Sequence, residues 1–212
     1  GPTHLPVAKS GSDCVSGGCY QFDGTEDYIN CGTDISLNII NSLTIELWIR
    51  PNILTGERGI VVKRIANVSS PYVFLQRNDR VSFNYYGLDS AWHIYYSDYG
   101  LTNNWQHIAV IFSPATNKAY FFRNGIGFGV RDTVSSGISQ PTYPVIIGWD
   151  AGYTYFDGFI DGVRIYNSAI SFNKIKQNYY SGLNKLLAHN GLDVVEYKKR
   201  IAELPLNLTV NE

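Results

Sequence analysis

The sequence predicts an all-β fold: two antiparallel sheets packed as a sandwich, followed by a short α-helical tail. Up to residue 168, short runs of alternating apolar and polar residues are separated by Gly, Asn, Asp and Pro clusters. Aromatics make up 14% of the chain, led by 16 Tyr, a composition that suits pleated, half-buried surfaces. After Asn167 the apolar period changes from two to about 3.6, the helical value.

In chain order the predicted strands are Cys19–Phe22, Asp27–Cys31, Leu43–Arg50, Gly59–Lys63, Tyr72–Arg77, Arg80–Tyr86, Ala91–Tyr96, Trp105–Phe112, Lys118–Arg123, Gly127–Asp132, Val145–Gly148 and Phe156–Tyr166. Alternation is cleanest in the third. Leu43, Ile45, Leu47 and Ile49 form one face there, while Thr44, Glu46, Trp48 and Arg50 form the other, read as a partly polar surface. Asn78-Asp79 and Asn124-Gly125 read as hairpin turns, the latter of type I′ because both central residues need positive φ. Strand follows strand without an intervening helix, which excludes a parallel α/β sheet.

In the tail, Phe172, Ile175, Tyr179, Leu183, Leu186 and Leu187 make one apolar stripe, with Ser171 as N-cap. Asn190-Gly191 breaks that helix. Asp193 and Glu196 have capping-box spacing and open a second helix that runs through Leu204, with Pro205 after it. Residues 1–168 thus form the sandwich and residues 169–212 a helical extension, packed on the sandwich or used for assembly.

Hydrophobic residues make up 44% of the chain and charged residues 17%, ample for a core and without a disorder signature. Seventeen basic against eighteen acidic residues leave a net charge of −1. No Lys/Arg stripe exists, so nucleic acid is not an expected partner. No apolar run reaches the roughly 20 residues of a membrane span, so this chain is not expected to cross one.

All three cysteines stand within the first 31 residues. Cys14 and Cys19 flank Val15-Ser16-Gly17-Gly18, a segment flexible enough to close a disulfide, which points to an oxidising, extracellular or cell-surface location. The alternative is a reduced pair. Cys31 reads as a buried free thiol at a strand end. The four His are scattered without the spacing of zinc ligands. Two sequons begin at Asn67 and Asn207.

Several blocks in order resemble a known family. They are Phe22-Asp23-Gly24-Thr25-Glu26-Asp27-Tyr28-Ile29, Leu43 to Pro51, Trp105-Gln106-His107-Ile108-Ala109-Val110, Asn124-Gly125, Ile147-Gly148, and Phe156 to Asn167 running on to Ile170-Ser171. From Cys19 to about Gly182 the chain resembles the laminin-G-like jelly rolls of the concanavalin A-like superfamily. That resemblance implies a two-sheet antiparallel jelly roll and a structural calcium ion, with Asp161 pairing with oxygens at Asp23 and Gly24. The alternative for these residues is an Asx-type turn at Asp23 and backbone contacts at Asp161. Family members begin with a strand well before the Phe-Asp-Gly block, where this chain has only the lead Thr3–Asp13. That strand is either missing, leaving a sheet edge open to a strand from another chain, or partly replaced by the lead. The segment from Tyr180-Ser181-Gly182-Leu183 to Leu204 is more loosely similar to tails of bacterial laminin-G-like proteins with prepilin-type leaders. This implies a second reading, an assembly subunit of a pilin-like filament.

The superfamily also contains glycoside hydrolases, which need paired carboxylates across the scissile bond. Glu46 stands on a central strand without an acidic partner at i+2 or i+4, and Asp157 and Asp161 lie in the calcium-like block. No Ser/His/Asp or Cys/His set is recognisable, so no catalytic step is expected, and a glycoside hydrolase or lyase stands as the third reading. Aromatics are the expected ligand-facing groups, because flat rings stack on sugar faces. Trp48 and Trp105 lie in strand blocks and read as structural. Tyr85, Tyr86, Trp92, Tyr95, Tyr96 and Tyr99 crowd one polar stretch, and Trp149, Tyr153 and Tyr155 crowd a loop. Trp92, Trp149, Tyr86, Tyr96 and Tyr153 are the candidate contacts, with Asp89, Asp98, Asp150 and Arg77 to bond hydroxyls. The expected partner is a glycan or cell-surface ligand, with self-assembly through the tail or an open edge as the alternative.

Overall fold

The computed structural model describes residues 4–64, 70–134, 137–139, 142–151 and 154–204. Both sequons, Tyr153 and Pro205 lie outside them. The strands are β1 (Val7–Ser10), β2 (Gly18–Asp23), β3 (Ile29–Asn30), β4 (Leu43–Pro51), β5 (Glu57–Lys63), β6 (Tyr72–Arg77), β7 (Arg80–Tyr86), β8 (Trp92–Tyr96), β9 (Gln106–Ser113), β10 (Lys118–Arg123), β11 (Ile126–Asp132), β12 (Val145–Ile147) and β13 (Asp157–Tyr166). Helices α1 (Phe172–Ala188) and α2 (Val194–Ala202) follow. A seven-stranded sheet runs β1-β2-β13-β4-β9-β10-β11, and a six-stranded sheet runs β3-β12-β5-β6-β7-β8. All pairings between these strands are antiparallel. The jelly-roll sandwich with two C-terminal helices is the fold the sequence predicts.

The main core fills the space between the sheets. Leu43, Ile45, Leu47 and Ile49 of β4 meet Phe74 of β6 and Val81, Phe83 and Tyr85 of β7 there. Each such aliphatic contributes about 1.5–3 kcal/mol of transfer free energy. At the β10–β11 hairpin Asn124 and Gly125 have φ of 52° and 73°, the I′ signature that Gly tolerates without strain.

The opposite face of β4 departs from expectation. Thr44 and Glu46 are fully buried and Trp48 nearly so, because α1 lies over the outer side of the seven-stranded sheet. Ser171 caps α1 through the Lys174 N–H at 3.2 Å, and Asp193 caps α2 through the Glu196 N–H at 2.8 Å. The α1 stripe of Tyr179, Leu183 and Leu186 joins Trp48, Trp105, Phe159, Cys14 and Val15 in a second core. A Cβ on Gly182 would sit 2.5 Å from Trp48 Nε1, so only glycine lets the helix come this close. The second helix ends at Ala202, short of Leu204.

One open alternative is decided and two further expectations change. The N-terminal lead supplies β1, an edge strand paired with β2. The predicted strand Asp27–Cys31 shrinks to Ile29–Asn30, at the edge of the six-stranded sheet. Cys31 therefore falls just past an edge strand and is exposed rather than buried.

Candidate functional site

Strand β8 is the other edge of the six-stranded sheet. Its alternation assigns its faces. Tyr95 stacks on the core residue Tyr85 at 6.2 Å and His93 lies 4.8 Å from the same ring, so both point inward. Trp92, Ile94 and Tyr96 consequently stand on the outer face. Trp92 is 43% exposed and Ile94 45% exposed, unusual for large apolar side chains in one row. Register places Tyr86, Asn84 and Ser82 of β7 directly beside Trp92, Ile94 and Tyr96. The Tyr86 ring meets Trp92 edge-on at 5.7 Å. Three of the predicted contacts, Trp92, Tyr86 and Tyr96, are thus brought together.

Polar groups surround this row. Ser82 and Asn84 are sunk into the face, and the Asn84 Oδ1 is buried without a hydrogen-bond partner among the described residues. An unsatisfied buried carboxamide oxygen is costly, and a donor that reached it would relieve that cost. The Arg64 guanidinium lies 5.9 Å from the Trp92 ring, with its Nε 3.3 Å from Asp150 Oδ1. At the other end, Arg77 pairs with Glu57 and donates from Nε to Ser82 Oγ at 3.0 Å.

Trp149 lies elsewhere. It stacks on Tyr155 at 5.5 Å and tilts against Tyr28 at 5.4 Å. Its backbone crosses the outer face over Gly59, where an added Cβ would fall 2.3 Å from the Trp149 carbonyl carbon. No ring contact joins Trp149 to Trp92 among the described residues; Arg64, which pairs with the next residue Asp150 and lies 5.9 Å from the Trp92 ring, stands between the two. The predicted hydroxyl-bonding groups are also engaged within the protein: Asp89 meets His93 Nε2 at 3.0 Å, Asp98 meets Arg131 at 2.6 Å, and Asp150 and Arg77 are paired as described.

The calcium expectation meets a geometric obstacle. Asp23 stands opposite Asp157 in the β2–β13 ladder, four residues from Asp161, about 13 Å along the strand. One ion does not span that gap. Each carboxylate is also engaged by protein donors. Asp161 accepts from the Val15 and Ser16 N–H groups, both at 2.8 Å, and from Ser16 Oγ at 2.7 Å. Asp23 accepts from Thr25 Oγ1 at 2.7 Å and Thr25 N at 2.8 Å, bonds that pull its carboxyl down to about 2. The residues present do not fit a shared ion at Asp23, Gly24 and Asp161. No group of three His, Cys, Asp or Glu able to hold a metal occurs among the described residues. The Cys14–Cys19 disulfide is formed, with Cα atoms 5.3 Å apart, and it closes the loop whose N–H groups hold Asp161.

Glu46, the strand-borne acid considered for catalysis, sits beneath α1. Its Oε1 accepts from Asn178 Nδ2 at 2.6 Å and Tyr166 Oη at 2.8 Å, and its Oε2 lies 3.4 Å from His107 Nε2. Burial alone would raise its carboxyl, but the bond and charge of His107, the bond from Tyr166 and the Arg164 charge hold it below the ordinary range. It presents no acid to solvent and ties α1 to β4, β9 and β13.

Residues 23–176, well over half of the chain, match the laminin-G-like family model described as the concanavalin A-like lectin/glucanases superfamily. The chain belongs to that superfamily. No curated protein matches it. Among solved structures, this concanavalin A-like chain is similar to the binding domain of botulinum neurotoxin serotype G, with TM-score 0.65 and 13% identity over 85% of this chain and 47% of that one. It therefore spans about half the length of that toxin domain. A carbohydrate-binding module (CBM40) of the Ruminococcus gnavus IT-sialidase, solved with α2,3 sialyllactose, matches at TM-score 0.61 and 13% identity, over 82% of this chain and 98% of that one. The SAP-like pentraxin of Limulus polyphemus matches at TM-score 0.54 and 14% identity, over 74% and 78%. At such identities these structures establish the shared fold alone.

Sequence reasoning missed Arg64, Ser82, Asn84 and Arg80 as part of the outer face. The signal was present: in Arg80-Val81-Ser82-Phe83-Asn84-Tyr85-Tyr86 the core residues alternate with Arg, Ser, Asn and Tyr.

Proposed function

We propose that this chain is a non-catalytic, extracytoplasmic glycan-recognition module whose binding surface is the outer face of the six-stranded sheet along β8. The observation that carries this reading is the row Trp92, Ile94 and Tyr96, the first two exposed and the third half-buried, beside Asn84, whose buried Oδ1 has no hydrogen-bond partner among the described residues. A sugar presents an apolar C–H face and a polar edge. Stacking of the first on Trp92 leaves hydroxyls to meet Asn84, the division of labour that shallow sugar sites need. The disulfide supports a location in an oxidising compartment. The sialyllactose in the Ruminococcus module and the naming of the toxin domain as a binding domain support recognition as a use of this fold, without transferring a ligand.

The test pairs a glycan-array screen with titration of the best binder against wild type and Trp92→Ala. The variant should bind about 1–2 kcal/mol more weakly, the scale of an aromatic platform in a shallow site, and keep its melting temperature. An array without binders, or equal affinity of the two proteins, refutes the reading. An assembly subunit is the second reading, favoured by Val194 and Val195, 54% and 79% exposed on α2. Sedimentation that shifts with concentration, and returns to monomer in Val195→Lys, would select it. Neither the family match nor the three structures above concern a pilin-like filament.

A further inference from the structure

The β6–β7 hairpin sets Arg77 and Arg80 directly opposite each other. Cross-strand neighbours of this kind sit about 4.5–5.5 Å apart at Cα, and like charges there are destabilising. Arg77 has its compensation in Glu57. Arg80 makes no ion pair among the described residues, and its Nε is buried without a hydrogen-bond partner. Its guanidinium is instead held between two rings, 4.4 Å from the centroid of Tyr96 and 4.7 Å from that of Tyr99. Stacking on tyrosine fixes the guanidinium plane while leaving its N–H edge for a planar or tetrahedral anion.

The two ends of the β8 row therefore differ in charge. At the Trp92 end Arg64 is matched by Asp150 at 3.3 Å. At the Tyr96 end Arg77 pairs with Glu57, Arg80 has no ion pair among the described residues, and the nearby Asp98 is occupied by Arg131 at 2.6 Å. From Trp92 to Tyr96 is four strand residues, roughly 13 Å, the reach of a short oligosaccharide. Resting on the glycan-binding reading above, we propose that Arg80 is an anion subsite and that the ligand is an acidic oligosaccharide whose carboxylate or sulfate meets the N–H edge of the guanidinium that Tyr96 and Tyr99 hold between them. The like-charge hairpin pair is tolerated in the free protein and is neutralised when the ligand binds.

Calorimetric titration with tetragalacturonate, a sulfated tetrasaccharide and neutral galactotetraose tests this, at low and high salt. Wild type should prefer at least one acidic probe over the neutral one by about tenfold, as a charge-assisted pair provides, and the preference should shrink with salt. The probe that gains distinguishes carboxylate from sulfate. Arg80→Gln should abolish that preference without lowering the melting temperature, and Arg80→Lys should restore part of it. Binding of all three probes alike by wild type overturns the subsite and leaves the glycan reading intact. An equal loss for acidic and neutral probes in Arg80→Gln, or a melting temperature several degrees lower, makes Arg80 a structural stack and overturns the proposal. Failure of every probe to bind refutes the glycan reading and the subsite together.

Discussion

Replacing Gly182 by alanine sets two effects against each other. Alanine in a helix interior is favoured over glycine by about 1 kcal/mol, so propensity alone predicts a more stable protein. Packing predicts the reverse. The new Cβ would lie 2.5 Å from Trp48 Nε1 and 2.7 Å from both Cε2 and Cζ2. Carbon contacts settle near 3.5–4.0 Å, so helix and indole must separate by about 1 Å. Trp48 has no room to yield: it is 2% exposed, stacked 5.5 Å from Tyr179 and tilted 5.5 Å from His107. Overpacking of this kind costs about 1–3 kcal/mol. A lifted helix also stretches the 2.6 Å bond from Asn178 to the buried Glu46. We expect Gly182→Ala to be less stable by about 1–2 kcal/mol, a fall in Tm of about 2–8 °C for a chain of this size. Ser181→Ala, on the exposed neighbouring position, is the control and should stay within about 0.5 kcal/mol. Urea and thermal melts of the three proteins decide it. A Gly182→Ala variant as stable as wild type, or more so, would refute the close helix–sheet approach.

Glu46 makes stability depend on pH. Its folded carboxyl titrates below the ordinary range, so the stability it adds is full above the unfolded value and is lost as pH falls through the folded value. Acid titration of Tm should show that loss in wild type and a flatter curve in Glu46→Gln. Thiol alkylation of native protein should label Cys31 alone, and denatured, unreduced protein should gain no further label, since Cys14 and Cys19 are bonded. A chelator should leave Tm unchanged, whereas Asp161→Ala should destabilise by about 2–4 kcal/mol because the buried Val15 N–H and its neighbour Ser16 N–H lose their acceptor. A chelator-sensitive melt would restore the ion to this region.

The strands with strong alternation were legible because their two faces meet different surroundings. In β4 the row Leu43, Ile45, Leu47 and Ile49 identifies the inner face whatever covers the other. What lay over Thr44, Glu46 and Trp48 was not legible, because polar residues in a strand read as solvent-facing unless the covering helix is known. The hint was Gly182 in the middle of an apolar stripe, a poor helix former retained for its missing side chain. Strand β1 was illegible for another reason: Val7-Ala8-Lys9-Ser10 has no face of its own, and its order comes from pairing with β2. The aromatic cluster around Trp92 was visible as composition. The packing of Trp149 on Tyr28 and Tyr155, and the separation of Asp23 from Asp161, depend on strand order and ladder register, which join residues far apart in the chain and leave no local trace.

The disulfide sits inside the second core, with Cys14 fully buried and Cys19 5% exposed, beneath the same helical layer that covers Trp48. A reductant in solution meets almost none of either side chain while that layer is closed. Moments when the layer swings away should therefore speed thiol exchange, and its rate under native conditions should report on them. The bridge is in effect a built-in clock for the opening of the C-terminal helices. It ticks independently of the Trp92 face, which belongs to the other sheet.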